Sequence, residues 1–360
     1  MAGMAKAAEP ATLAYKDAAF TEFFRRTNGL VAGDGGISVP LSDGAVLWLF
    51  GDSHIDDLNP TNGTLPCLFQ VRNAALLQQS NGTTTLISGN PRGSFIRTAT
   101  DEKLWFWPQA GFQSTGGTIY IYTMKLQRAG KGGGMFDFRA VSRHWAKIER
   151  SDLAGSADGN MESVPVTFSR LQNFRDIEFG CGFSQEADGY TYTFGVKAGK
   201  KDNNICVARF LSIRPEGRWT FWDGKRWTAA VSQAKAIGYG ASTSLSVCKV
   251  NGRWLALSSA FSIACDQGKA IYASVSTNLT GPFSPPQKIY EIDDVVDGHY
   301  PFFYLPEAHP ESVNSKNEIL VTYSINGYDP CFPTCKDGRM NPDYYRVKAI
   351  RLPLSLVGIP

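Results

Sequence analysis

Helical signal is scarce in this chain. Apart from residues 16 to 26 ("KDAAFTEFFRR"), no sustained 3.6-residue apolar periodicity with caps is found, and 36 glycines and 19 prolines interrupt the rest. No run approaches the roughly 18 to 20 apolar residues of a spanning helix, so no membrane insertion is expected. The start, "MAGMAKAAEPATLAYKDAAF", lacks the continuous apolar core of a signal peptide. Charge of one sign is missing too: 36 basic residues stand against 33 acidic ones, a net charge of +3, which gives no electrostatic footprint for nucleic acid. The seven cysteines form neither a disulfide framework nor a zinc-finger spacing. Only "CFPTC" looks paired, and Cys331 and Cys335 read either as a small loop disulfide or as two unrelated thiols. Phosphate loops of the Walker or Rossmann type and a G-x-S-x-G nucleophile elbow are absent, "GKGGG" at 130 to 134 being a hairpin tip between strands.

What the chain has in abundance is strand. With 43% apolar and 12% aromatic residues it can bury a large core, and sixteen or more short alternating or β-rich runs are separated by turn signals. These runs group around residues 30 to 90, 104 to 148, 178 to 228, 243 to 292 and 300 to 352, a repeat of roughly 45 to 60 residues. That period predicts an all-β, five-bladed β-propeller, each blade a mostly four-stranded antiparallel sheet. Residues 1 to 11 read as a leader or disordered N-terminus and 12 to 360 as a single domain. Either residues 12 to 30 or the final "YRVKAIRLPL" closes the ring, because an open ring would expose edges. A jelly roll or a two-domain β-sandwich is the competing architecture.

In a propeller the start of each inner strand faces one mouth of a central channel, and there this sequence places groups suited to hydroxyls. Asp34 and Asp52 flank "GGISVPLSDGAVLWLFG", a hairpin turning at "SDG", so both carboxylates return to the same level. Paired carboxyl groups are what glycosidic cleavage requires, one as acid and one as base or nucleophile. Ordinary turn chemistry accounts for the same Gly-Asp steps, and both readings stand at this point. Glu178 in "RDIEFGCGF" and His299, Glu307 and His309 in "DGHYPFFYLPEAHPE" are candidates to hold sugar hydroxyls, as is His54 beside Asp52. Trp107 is the candidate ring for stacking on a sugar, whereas Trp219, Trp222 and Trp227 read as packing. No metal-ligand set is expected; a structural Ca²⁺ held by the aspartates is the cation alternative.

The stretches "GDGGISVPLSDGAVLWLFGDSHI", "NGRWLALSS", "IYASVSTNLTGPFS", "YLPEAHPE" and "ILVTYSIN" together resemble five-bladed propeller families of carbohydrate-active proteins, of the DUF4185 and DUF5005 type. The resemblance reaches across nearly the whole chain. It implies a glycoside hydrolase, similar to endo-acting arabinanases that use an aspartate pair, and by position that pair is Asp34 and Asp52. Ser53 stands where many relatives have Thr, and "RDIEFGCGF" does not clearly reproduce the Glu-bearing signature of arabinofuranosidases and fructosidases. The expectation is therefore a secreted or periplasmic enzyme on an oligo- or polysaccharide, needing no cofactor, with the sugar and the oligomeric state open. The rivals are a non-catalytic sugar-binding propeller and a scaffold for protein partners.

Overall fold

The computed structural model describes residues 13 to 360 except 70, 90–92, 99–102, 131–136, 154–159, 163, 200–202, 241, 243, 261–267 and 328–333. It is a five-bladed β-propeller with, among the described residues, one α-helix of about two turns and a few short 3-10 turns. Blade 1 runs from its inner strand Leu30–Pro40 through Val46–Ile55 and Ala74–Gln78 to Thr84–Ser88. Blade 2 comprises Leu104–Gln113, Thr118–Arg128, Phe138–Glu149 and Thr167–Arg170. Blade 3 comprises Ile177–Gln185, Tyr190–Lys197, Asn203–Leu211 and the outer hairpin Thr220–Trp222 with Trp227–Thr228. Blade 4 is Leu245–Val250, Arg253–Ser259, Ala270–Ser276 and Gln287–Glu291. Blade 5 is Phe302–His309, Glu318–Asn326 and Lys348–Pro353, completed by the N-terminal Tyr15–Lys16. Each inner strand touches the next, and that of blade 5 touches that of blade 1, which closes the ring.

Period-two alternation explains how one strand serves two seams. In "VLWLF", Leu47 and Leu49 pack with Phe106, Ile119 and Ile121 of blade 2, while Trp48 and Phe50 pack with Leu320 and Ala349 of blade 5. Every other seam has its own apolar cluster of the same kind: Tyr122 and Trp145 against Phe179 and Trp219, Phe194 against Trp254, Leu255 and Ile271 against Ile319 and Ile350. At about 1.5–3 kcal/mol for each large side chain buried, these seams hold the ring together. Trp219 is fully buried and Trp222 meets Trp227 at 5.4 Å, so all three serve as packing.

Closure uses both chain ends. Tyr15 pairs with Arg351 and Lys16 with Ile350, covering the outer edge of blade 5. The helix Ala18–Phe24 follows, capped by Asp17, whose side chain accepts from Phe20 N at 2.9 Å and also holds Arg351 at 2.7 Å. Phe20, Phe23 and Phe24 of this helix surround Trp48. The same seam carries a disulfide between Cys67 and Cys335, with Cα atoms 5.4 Å apart. This corrects the pairing considered within "CFPTC": Cys335 is bonded across 268 residues to blade 1, and Cys331 lies outside the described residues, as do residues 131 to 134 of the tip "GKGGG". Two blades exceed four strands: Asn160–Glu162 adds in parallel to the edge of blade 1, and Gly238–Gly240 pairs with Asn203–Leu211 in blade 3.

Candidate active site

The inner hairpin of blade 1 is irregular where the two Gly-Asp steps meet. Gly33 pairs with Ser53 and Gly35 with Phe50, so Asp34 alone opposes Gly51 and Asp52. This is a β-bulge, a device that bends a strand and re-aims a side chain. Gly35 sits at φ +99°, where a side chain would be strained, and a Cβ on Gly51 would run into the Asp34 carboxylate. The glycines are thus what allows two aspartates to share one spot. The inner strands of blades 2, 3 and 5 also break register, at Pro108/Gly111, Phe179/Phe183 and Tyr304/Glu307.

Asp34 is half-buried. It accepts a hydrogen bond at 2.8 Å from the Tyr304 hydroxyl, and further ones from the Tyr345 hydroxyl and the Asp52 backbone N–H. Asn326 Nδ2 supports Tyr304 at 3.3 Å. Asp52, only 6% exposed, accepts from Trp107 Nε1 at 3.1 Å and faces Arg72 Nη1 at 3.4 Å. Arg72 lies between the rings of Phe69 and Trp105, at 4.7 and 4.4 Å. Burial pushes Asp34 up to about 6 in spite of its donors. Burial, reinforced by the charge on Asp34, pushes Asp52 up to about 7 against the opposing pull of Arg72 and Trp107. The two carboxyl groups therefore titrate as an interacting pair, both raised above the ordinary carboxylate range.

Glu178 and Glu307 form a second neighbourhood, since both charges bear on Cys181 in the bulge of blade 3. Glu178 is exposed and ion-paired with Arg143. Glu307 is half-buried and accepts from Ser246, and desolvation pushes it up to about 8. Half-buried Cys181 and Cys248 are held as thiols by desolvation.

The remaining expected residues are placed elsewhere. His54 is fully buried, its Nδ1 2.6 Å from Asp57 and its ring edge-on to Tyr345, so it props the hairpin from inside. His309 is also fully buried, bonded to Ser38 at 2.7 Å and Thr322 at 2.8 Å. Neither ring reaches solvent, although each stands two residues beyond a candidate carboxyl and so on the same side of its strand: further along the strand that side is covered, and each ring is taken up by buried partners. His299 sits on an exposed loop before blade 5. Sequence reasoning missed Arg72, Tyr304, Tyr345 and Asn326. Tyr304 stood in the quoted blade 5 motif, three residues before Glu307, but nothing local marks a tyrosine 270 residues away as the partner of Asp34. Among the described residues, no three His, Cys, Asp or Glu side chains converge as a metal site would require.

With this geometry in view, the comparisons are specific. The sequence matches the family described as a domain of unknown function, DUF5005, over residues 17–353. The chain belongs to the DUF5005 family. No curated protein matches. Among solved structures, this DUF5005 chain is similar to a candidate hydrolase from Bacteroides ovatus, at 18% identity and a TM-score of 0.73, covering 94% of this chain and 89% of the other. It is also similar to a levansucrase from B. megaterium, at 10% identity and a TM-score of 0.51, covering 89% and 87%. At such identities the likeness shows a shared propeller fold.

Proposed function

We propose that this DUF5005 protein is a glycoside hydrolase whose catalytic carboxyl groups are Asp34 and Asp52. The observation that carries the reading is the bulge in which Asp34 of the inner strand of blade 1 opposes Asp52 of the second strand, one half-open and one nearly buried. Two carboxyl groups raised by burial can serve one as acid and the other as base. In the reaction, the protonated member gives its proton to the glycosidic oxygen as the bond from that oxygen to the anomeric carbon breaks. The ionised member takes a proton from water as the water oxygen bonds to the anomeric carbon, so a glycoside and water become a hemiacetal and an alcohol. Tyr304 and Tyr345 hold Asp34 in place, Trp107 holds Asp52 through its indole N–H, and Glu178 and Glu307 supply hydroxyl contacts. The chemistry needs only these side chains. A secreted or periplasmic setting accords with the Cys67–Cys335 disulfide, a bond that persists in oxidising compartments.

The test is release of reducing ends from a panel of plant, algal and bacterial glycans. The wild type is expected to cleave at least one, and Asp34→Asn and Asp52→Asn are each expected to lose on the order of 10²–10⁴-fold in rate. Saturable binding to a glycan with no new ends would instead make the protein a sugar-binding propeller.

A further inference from the structure

Two loops of the propeller are fastened to each other outside its blades. One comprises residues 59 to 69 with Val71 and Arg72, between the second and third strands of blade 1, and the other, residues 334 to 346, lies before Lys348–Pro353 of blade 5. Leu65–Pro66 of the first pairs with Arg339–Met340 of the second as a sheet of its own, which extends no blade. Arg339 donates from Nε to the Thr64 hydroxyl at 2.9 Å and from Nη2 to the Thr64 carbonyl, and Cys67 N donates to Gly338 O at 3.2 Å. The Cys67–Cys335 bond closes this clasp. Leu65, Met340 and Tyr345 share an apolar cluster with Val31 and Ala32, just ahead of Asp34 on the inner strand of blade 1. The two loops also bring supports to both carboxyl groups. Arg72, from the first, faces Asp52, and Tyr345, from the second, donates to Asp34. Phe69 joins them, its ring 4.7 Å from the Arg72 guanidinium and stacked on Tyr345 at 6.5 Å. Beyond Phe69 the first loop is pinned again: Ser53 N donates to Val71 O at 2.9 Å, Val71 N to Ser53 O at 3.2 Å, and Arg72 N to Ser94 Oγ at 2.9 Å. Ser53 is the chain neighbour of Asp52. A carboxyl group keeps one geometry only when the groups that hold it are themselves locked by packing.

We propose that this clasp, with Phe69 at its centre, is a positioning device for the carboxyl pair: it sets Arg72 against Asp52 and Tyr345 against Asp34 together, so that loosening it releases both. Its bearing on turnover rests on the reading of those aspartates as a glycan-cleaving pair. Phe69 acts through Arg72 and Tyr345, and the disulfide acts through the loop that carries Phe69, so these are positioning residues.

Phe69→Ala in the full-length protein, with the disulfide intact, tests this through the titration of the two carboxyl groups. It is read from isotope-labelled aspartate carboxyl resonances, assigned as the signals missing from Asp34→Asn and Asp52→Asn. Arg72 and Tyr345 each favour the ionised form of their partner, so both titrations should move up by about one pH unit when these supports are freed. On a glycan that the wild type cleaves, the rate should fall about tenfold or more, and the acidic limb of the pH–rate profile should rise with the titrations. Phe69→Tyr, which restores the ring, should bring both back to the wild-type values. Cys67→Ser with Cys335→Ser should move both titrations in the same direction, together with a loss of stability from the removed cross-link. His309→Ala, whose loss is structural, should lower the urea midpoint and leave both titrations in place. Moved titrations in a protein whose wild type cleaves no glycan would keep the clasp and sink the hydrolase reading. Titrations unmoved in Phe69→Ala, movement of one carboxyl group alone, or an equal movement in His309→Ala would overturn the proposal, whatever the stability of the double serine variant.

Discussion

The first two strands of blades 1 and 5 carry two polar clusters built from similar residues and put to opposite use. Toward the start of the inner strands, Asp34 and Tyr304 meet Asp52 of the second strand of blade 1 in a half-open bulge where both carboxyl groups are raised by burial and Asp52 also by the charge on Asp34. Toward the ends of the inner strands, Ser38 and His309 join Thr322 of the second strand of blade 5 in a closed chain of hydrogen bonds, with Trp48 against the His309 ring at 5.0 Å. Burial drives His309 down to about 3, so it stays neutral, and Glu311 nearby is raised and accepts from Ser38. One cluster leaves its carboxyl groups in conflict, and the other resolves each donor and acceptor. Conflict retained at a mouth is what acid and base chemistry draws on, whereas a satisfied buried network specifies packing.

The largest effect that sharpens this contrast is catalytic. Asp34→Asn and Asp52→Asn should each cost on the order of 10²–10⁴-fold in turnover while leaving urea unfolding at neutral pH intact or improved. At the far cluster, His309→Ala should do the reverse. It leaves Ser38 and Thr322 without their partner and strips a contact from Trp48, a loss of about 3 kcal/mol in unfolding free energy, with turnover per folded molecule reduced far less than in the aspartate variants. Tyr304→Phe removes one hydrogen bond from the Asp34 carboxylate, so the acidic limb of the pH–rate profile should move to higher pH with a rate loss of about tenfold.

The smallest effect lies in the pH dependence of stability, where the two clusters should slope in opposite directions. Asp34, Asp52 and Glu307 have folded values above their unfolded ones, so the folded state holds the extra protons. Their contribution is complete below about pH 4 and is lost as pH rises through about 6 to 8. His309 has a folded value below its unfolded one, so its contribution is complete above about pH 6.5 and is lost as pH falls toward about 3. Urea midpoints from pH 4 to 8 should show the alkaline loss flattened in Asp34→Asn and the acidic loss flattened in His309→Ala.

The blade order was readable from strand spacing, since turn residues and apolar alternation are local properties. The pair Asp34 and Asp52 was readable for the same reason: a hairpin of two short strands returns its ends to one level. Their bulge was not, because one residue opposing two depends on glycine conformations at Gly35 and on the space at Gly51. His54 and His309 were assigned to the sugar because each stands two residues beyond a candidate carboxyl, and strand spacing fixes the face of a ring but not how far along the strand that face is covered. Arg72, Tyr304 and the Cys67–Cys335 bond join segments brought together only when the ring closes, and no spacing rule reaches across that distance.

Product analysis on the glycan that the wild type cleaves tests the central claim most directly, with Asp34→Asn and Asp52→Asn run beside it at pH 6 to 7. The account predicts new reducing ends from the wild type and a loss on the order of 10²–10⁴-fold from each variant, with glycan binding retained. Undiminished cleavage by both variants would contradict it, and the two aspartates would then be turn residues that happen to meet.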